Sequence, residues 1–86
     1  MDPGLRYEIL LKPKAIKDLQ KLPPSTQARI LEKVELMQDN LFGDVKRLTN
    51  FTPEYRLRVG DYRILFEIEA AAIVIYRIKH RSDAYA

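Results

Sequence analysis

Three arginines carry the strongest chemical signal in this 86-residue chain: Arg56, Arg58 and Arg63. A guanidinium group suits phosphate because its planar fork donates two parallel hydrogen bonds and stays charged at any working pH. If these side chains share one surface, they predict an anion-binding site. The alternative is that they are ordinary arginines on the open face of a sheet, where water screens their charge.

Whether these arginines share one surface depends on how the segments before and after Gly60-Asp61 pair. The residues on either side of Gly60-Asp61 alternate between apolar and polar side chains, which is typical of half-buried strands. Gly followed by Asp favours a two-residue type II′ hairpin turn. That turn places Arg58 opposite Arg63, with Arg56 on the same face. Like charges directly opposite each other cost a sheet roughly 0.2–1 kcal/mol per pair, so the arrangement favours a bound anion.

The other face of this hairpin is apolar and predicts a core. The same register produces three apolar or aromatic pairs: Val59–Tyr62, Leu57–Ile64 and Tyr55–Phe66.

The register of the last predicted strand, Ile73 to Lys79, depends on the loop before it. A two-residue loop would turn Arg77 and Lys79 toward the core, whereas a three-residue loop, Ala70–Ala72, would place both on the arginine face. Burying two unpaired cations costs far more than one additional loop residue. We therefore predict the three-residue loop and two further cations beside the arginines.

The N-terminal half predicts one strand and two helices that position this sheet. After a loose end at Met1–Gly4, we expect a strand at 5–11, helices at 14–22 and 25–40, and a short strand at 44–49. Apolar residues recur at helical spacing in both helices, and Pro23-Pro24 separates them. The predicted fold class is α+β: an N-terminal strand and a helical hairpin packed on one face of a small, mainly antiparallel twisted sheet. Residues 1–86 are expected to form a single domain.

Composition narrows the function further. The net charge of +3 and the pI near 9.3 permit a nucleic-acid partner. The absence of cysteine and the single histidine exclude thiolate chemistry and a multi-histidine metal site, so we expect no metal and no cofactor. With no apolar run of membrane-spanning length and no signal-peptide pattern, we expect a cytoplasmic protein without a membrane partner.

Three segments also resemble a known family. Residues 55–64 and 78–85, together with Leu19-Gln20-Lys21-Leu22-Pro23, are similar to the RelE branch of the RelE/ParE superfamily of toxin–antitoxin toxins. The resemblance implies a RelE-like microbial RNase fold and a toxin that enters the ribosomal A site and cuts mRNA there. It further implies a metal-independent reaction with the RNA 2′-OH as nucleophile, and neutralisation by a cognate RelB-like antitoxin.

The resemblance also implies roles for individual residues. The catalytic set would be Arg56, Arg58, Arg63, Arg81 and Tyr85. The RNA-binding set that we predict beside it is Arg77, Lys79, His80, Lys14, Lys17 and Lys21.

Several of these assignments have open alternatives. The three lysines of the first helix could track an RNA backbone or form a solvated helix face. His80 could do acid–base work, for which histidine is the side chain best suited near neutrality, or could be polar surface. The tail with Arg81 and Tyr85 could fold back over the basic face or fray. A ParE-like toxin that inhibits DNA gyrase without nuclease activity is the competing function.

Overall fold

A computed structural model describes residues 6–85 of the chain. The elements in chain order are β1 (Glu8–Leu11), α1 (Pro13–Gln20), α2 (Pro24–Leu36), β2 (Val45–Arg47), β3 (Tyr55–Val59), β4 (Tyr62–Glu69) and β5 (Ala72–His80). The five strands form one sheet in the order β1-β5-β4-β3-β2, in which β1 pairs parallel with β5 and the other pairs are antiparallel. The predicted α+β class is confirmed. The predicted loose end Met1–Gly4 and the first residue of the predicted strand, Leu5, lie outside the described residues.

Both helices pack on the same face of the sheet. α1 buries Ala15 and Leu19, and α2 buries Ile30 and Val34. These side chains join one hydrophobic core with the apolar face of the hairpin predicted above, in which Phe66 is fully buried and stacks on the ring of Tyr55 at 5.4 Å. No helix within residues 6–85 is long and apolar enough to cross a membrane.

The helices end earlier than their apolar spacing predicted. α1 stops at Gln20 rather than Leu22, because Pro23 disfavours the helical conformation for the residue before it. α2 stops at Leu36 rather than near Asn40. Asn40 and Leu41 themselves adopt positive φ angles of 56° and 60°, which no right-handed helix contains. Apolar periodicity therefore continued beyond the point where the backbone leaves the helix.

The register of the β3–β4 hairpin is confirmed in full. Its pairs are Tyr55–Phe66, Arg56–Leu65, Leu57–Ile64, Arg58–Arg63 and Val59–Tyr62. Gly60 has a φ of +58° and Asp61 does not have a positive φ, which is the pattern of a type II′ turn. The hairpin thus separates an apolar face, against the helices, from a face that carries the three arginines.

The predicted loop before the last strand is wrong. Glu69 pairs with Ala72, so the loop has two residues, Ala70-Ala71, rather than three. Ala70 makes this turn with a φ of +55°, a region that favours glycine.

A β-bulge then changes the parity of β5. Phe66 lies opposite Ile75, but Leu65 lies opposite Arg77, which leaves Tyr76 as the additional residue. Ile75 is in the core, whereas Arg77 is on the opposite face. The predicted side of the sheet was therefore correct for Arg77, although a bulge and not a longer loop places it there.

Candidate nucleic-acid interface

An open cavity of about 400 Å³ lies on the arginine face of the sheet. Its lining combines four cations, two aromatic rings and two smaller side chains: Lys46, Leu48, Thr49, Phe51, Arg56, Arg58, Arg63 and Tyr85. Four of the five residues that the resemblance assigned to catalysis are brought together here. We refer to it as the arginine cavity.

Strand pairing explains how the cations meet. Arg56 and Arg58 are two residues apart on β3, so they project from the same face, and Arg63 lies directly opposite Arg58 on β4. Lys46 on β2 lies opposite Arg56. Lys46 is a site residue that sequence reasoning did not identify.

Asp44, just before β2, is the counter-ion of this cluster. The Nε of Arg58 donates to its Oδ2 at 2.6 Å, and the Nη1 of Arg56 donates to its Oδ1 at 3.2 Å and to its carbonyl oxygen at 2.9 Å. The hydrogen bond from Arg56 in particular, with that from Arg58, holds the pKa of the Asp44 carboxyl below its usual value. Sequence reasoning did not identify this contact, because Asp44 lies 12 and 14 positions from the two arginines and no local pattern pairs them.

Arg63 is oriented by the hairpin itself. Its Nη1 donates to the carbonyl oxygens of Gly60, at 2.9 Å, and Tyr62, at 3.0 Å. The guanidinium is therefore held without a carboxylate, and its positive charge remains uncompensated by this contact.

The C-terminal tail folds back toward the sheet. Ala84 is buried, and the ring of Tyr85 packs edge-on against Phe51 with centroids 5.6 Å apart. Tyr85 remains 48% exposed. The tail is folded rather than frayed, and it places the ring of Tyr85, but not Arg81, at the edge of the arginine cavity.

Arg81 and His80 lie away from the arginine cavity. The main-chain N–H of Arg81 donates to the carbonyl oxygen of Asp61 at 2.7 Å, and its Nε is 3.9 Å from the Asp61 carboxylate. The His80 ring packs edge-on against Tyr62 and lies 3.0 Å from the Ser82 hydroxyl oxygen. Neither side chain lines the cavity that holds the other predicted catalytic residues.

The residues predicted to bind RNA divide into three groups. Lys79 lies opposite Arg63 on the arginine face, and with His80 and Lys21 it lines a separate cavity of about 430 Å³. Lys14 and Lys17 are exposed on α1, which covers the opposite face of the sheet. The sixth, Arg77, also lines this separate cavity, but its guanidinium is engaged by Asp18 through two hydrogen bonds of 2.8 and 3.0 Å.

The described residues offer no obvious metal centre. Within residues 6–85, no group of three or more His, Cys, Asp or Glu side chains is arranged to hold a metal ion.

The fold and the cavity define a small α+β domain with a cationic sheet face. A model of the family described as "ParE toxin of type II toxin-antitoxin system, parDE" matches residues 9–85. The chain therefore belongs to this family of type II toxin–antitoxin toxins, which confirms the resemblance identified in the sequence.

Named relatives agree with this membership. The protein named toxin RelE3 from Methanocaldococcus jannaschii is 31% identical over 83 residues, which cover 91% of this chain and 94% of that protein. The toxin–antitoxin complex RelB–RelE from Methanococcus jannaschii matches with a TM-score of 0.73 and 32% identity, covering 88% of this chain and 94% of the other. The RelBE2 complex from Mycobacterium tuberculosis matches with a TM-score of 0.76 and 28% identity, covering 90% and 100%.

Proposed function

We propose that this toxin is a metal-independent endoribonuclease that cuts mRNA in the ribosomal A site and so inhibits translation. The observation that carries the proposal is the arginine cavity, where Arg56, Arg58 and Arg63 converge with the exposed ring of Tyr85. A concave surface lined by guanidinium groups and one aromatic ring matches the two features of single-stranded RNA, its phosphates and its bases.

The reaction needs little covalent chemistry from the protein. The 2′-oxygen attacks the adjacent phosphorus, a proton leaves the 2′-OH, and the bond from phosphorus to the 5′-oxygen breaks as that oxygen gains a proton. Negative charge grows on the phosphate oxygens in between. Arg63 is assigned to that charge, because its guanidinium is fixed beforehand by main-chain carbonyls. Arg56 and Arg58 hold the scissile and flanking phosphates.

Tyr85 is assigned to the base beside the cut. Its ring is supported by Phe51 on one edge and is otherwise half exposed, so a nucleotide base can stack on it.

The residues of the arginine cavity are poorly suited to acid–base catalysis. The described residues that line the arginine cavity include no histidine and no carboxylate. An arginine hardly gives up its proton, so it transfers one poorly. This composition fits an enzyme that relies on the ribosome to align the 2′-OH with the phosphate, and it supports the ribosome and its mRNA as partners.

A RelB-like antitoxin is the proposed inhibitor. The solved relatives named above are RelB–RelE complexes. The four cations that line the arginine cavity, with the Asp44 carboxylate between two of them, suit an acidic partner that covers the cavity. Coexpression with such an antitoxin is expected to relieve toxicity, and persistent toxicity would contradict this part of the proposal.

The test is primer extension on a defined mRNA in a reconstituted translation system. Wild type is expected to cut within A-site codons, and Arg63→Ala is expected to cut about 100- to 1,000-fold more slowly, because one charge-stabilising donor is lost. Arg47→Ala is the matched control: it removes an arginine that is exposed on β2, pairs with Glu54 and does not line the arginine cavity. A folded wild type that makes no cuts would contradict the nuclease.

Gyrase inhibition is the second candidate, because the matching family model is described by the name ParE. It predicts DNA breaks in expressing cells and in a purified gyrase assay, with no cuts in ribosome-bound mRNA. The cationic cavity favours the nuclease, since a gyrase inhibitor has no need of a phosphate-binding cluster on its sheet.

A further inference from the structure

Asp44 contacts both arginines of β3 at once. All three of its oxygens are used: Oδ2 accepts from Arg58, Oδ1 accepts from Arg56, and the carbonyl oxygen accepts from the Arg56 side chain and from the Arg58 main-chain N–H at 3.0 Å. We infer that Asp44 is a positioning residue of the arginine cavity, which fixes Arg56 and Arg58 for phosphate binding and cleavage. This inference rests on the proposed nuclease function.

The contact with Arg58 leaves its terminal nitrogens available. Asp44 accepts the Nε–H, and within residues 6–85 neither terminal nitrogen of Arg58 donates a hydrogen bond. The Arg58 side chain is 54% exposed. The forked end, which binds phosphate oxygens in pairs, is therefore available while the stem is held.

The contact with Arg56 has a different effect. This side chain is only 13% exposed, so its charge is partly shielded from water. Asp44 supplies an anion and a carbonyl oxygen to the same Nη1 atom. One carboxylate thus compensates a largely buried cation and limits the mutual repulsion of Arg56 and Arg58.

Removing Asp44 should separate RNA binding from cleavage. The cavity would gain one unit of positive charge, which strengthens attraction to any polyanion. The two guanidinium groups would lose their common anchor, and small displacements of groups that bind a reacting phosphate cost up to about 100-fold in rate. Binding and cleavage are therefore expected to move in opposite directions.

The opposite role for Asp44 is an internal substitute for phosphate that blocks the cavity. That role predicts faster cleavage when the carboxylate is removed. The geometry favours positioning, because Asp44 occupies the Nε of Arg58 and leaves the fork unoccupied.

The experiment compares Asp44→Ala and Asp44→Asn with Glu32→Gln, which removes one negative charge from an exposed position on α2. Affinity for a short single-stranded RNA is measured by fluorescence anisotropy, and cleavage by primer extension on translating ribosomes. We expect Asp44→Ala to bind the RNA at least as tightly as wild type and to cut it roughly 10- to 100-fold more slowly. Asp44→Asn keeps one acceptor oxygen and should lie between the two, and Glu32→Gln should match wild type.

A second measurement is independent of cleavage. The Nε–H signal of Arg58 is followed by NMR in the free protein and identified by its absence in Arg58→Lys. A hydrogen-bonded Nε–H should exchange slowly with water in wild type and rapidly in Asp44→Ala.

The outcomes separate the two proposals. Wild-type cleavage with no loss in Asp44→Ala, or with a gain, would overturn the positioning role while leaving the nuclease standing. A wild type that never cuts would refute the nuclease. An Arg58 signal that is unchanged in Asp44→Ala would overturn positioning in either case.

Discussion

Arg77 on β5 donates two hydrogen bonds to the carboxylate of Asp18 on α1, although the two residues are 59 positions apart. The same carboxylate accepts the main-chain N–H of Ile78 at 2.9 Å. β1 pairs with β5 only as far as Ile75, so Asp18 satisfies part of the edge that β1 leaves uncovered. Arg77, expected to bind RNA, therefore holds α1 against the sheet.

This contact predicts a loss of stability when Asp18 is removed. We expect Asp18→Ala to lower the free energy of unfolding by about 1–3 kcal/mol, because the Ile78 N–H and the Arg77 guanidinium both lose a charged acceptor. Urea denaturation measures the change. Glu32→Ala, which removes an exposed carboxylate from α2, is the control and should stay within about 0.5 kcal/mol of wild type. Equal losses in the two variants would contradict the assigned role of Asp18.

The same carboxylate should make stability depend on pH. Burial alone would raise the pKa of Asp18, but the hydrogen bonds from Arg77 and Ile78 outweigh burial and hold it below the ordinary value of 3.8. A carboxyl whose pKa is lower in the folded state contributes its full stability above the unfolded pKa. That contribution is lost as the pH falls below about 3.8. Wild type should therefore lose stability on acidification faster than Asp18→Asn, and parallel curves would contradict this account.

The contact between Asp18 and Arg77 also shows what the sequence could not predict. The β3–β4 register followed from a two-residue turn and local alternation, so Arg58 and Arg63 were paired correctly. Contacts between distant segments have no such local signal. Alternation along β5 could not reveal the bulge opposite Leu65, which breaks the period of two.

In the candidate site, too, local contacts were predicted and contacts between distant segments were not. Three arginines of the cavity were predicted from one hairpin, whereas Asp44 and Lys46 were not. A partial signal existed for Lys46, since it alternates with its neighbours in a segment interpreted as a short strand. Assigning it to the arginine face required knowing that β2 pairs with β3 in the register Lys46–Arg56.

Lys46 is expected to contribute a phosphate contact. Lys46→Ala should weaken binding of single-stranded RNA uniformly across sequences and reduce the slope of log affinity against log salt by about one. Fluorescence anisotropy between low and moderate salt measures the slope. Arg47→Ala is the control, because Arg47 does not line the arginine cavity and pairs with Glu54. Identical slopes in Lys46→Ala and wild type would exclude this contact.

Tyr85 is expected to act through its ring rather than its hydroxyl. The ring packs against Phe51, and no hydrogen bond of the hydroxyl to another of residues 6–85 is present. Tyr85→Phe should therefore retain most of the cleavage rate, whereas Tyr85→Ala should lose about 5- to 150-fold, the equivalent of a stacking contact worth 1–3 kcal/mol. Primer extension measures both variants. A Tyr85→Phe variant as slow as Tyr85→Ala would instead assign the hydroxyl a part in proton transfer.

The loop between β4 and β5 gives a prediction about stability. Ala70 adopts a φ of +55°, and an L-residue in this left-handed region costs roughly 1–2 kcal/mol relative to the right-handed one. Glycine avoids that cost but loses about 0.4–1 kcal/mol through the greater freedom of the unfolded chain. Ala70→Gly should therefore leave stability equal or slightly higher.

Ala71→Gly is the matched control for this turn. Ala71 has no positive φ, so glycine there brings the entropic cost without any relief. Ala71→Gly should melt below Ala70→Gly by several degrees, since about 1 kcal/mol corresponds to roughly 4–8 °C in a domain of this size. If both variants lose the same stability, Ala70 carries no strain, and the two-residue turn must be stabilised by the strands that it joins.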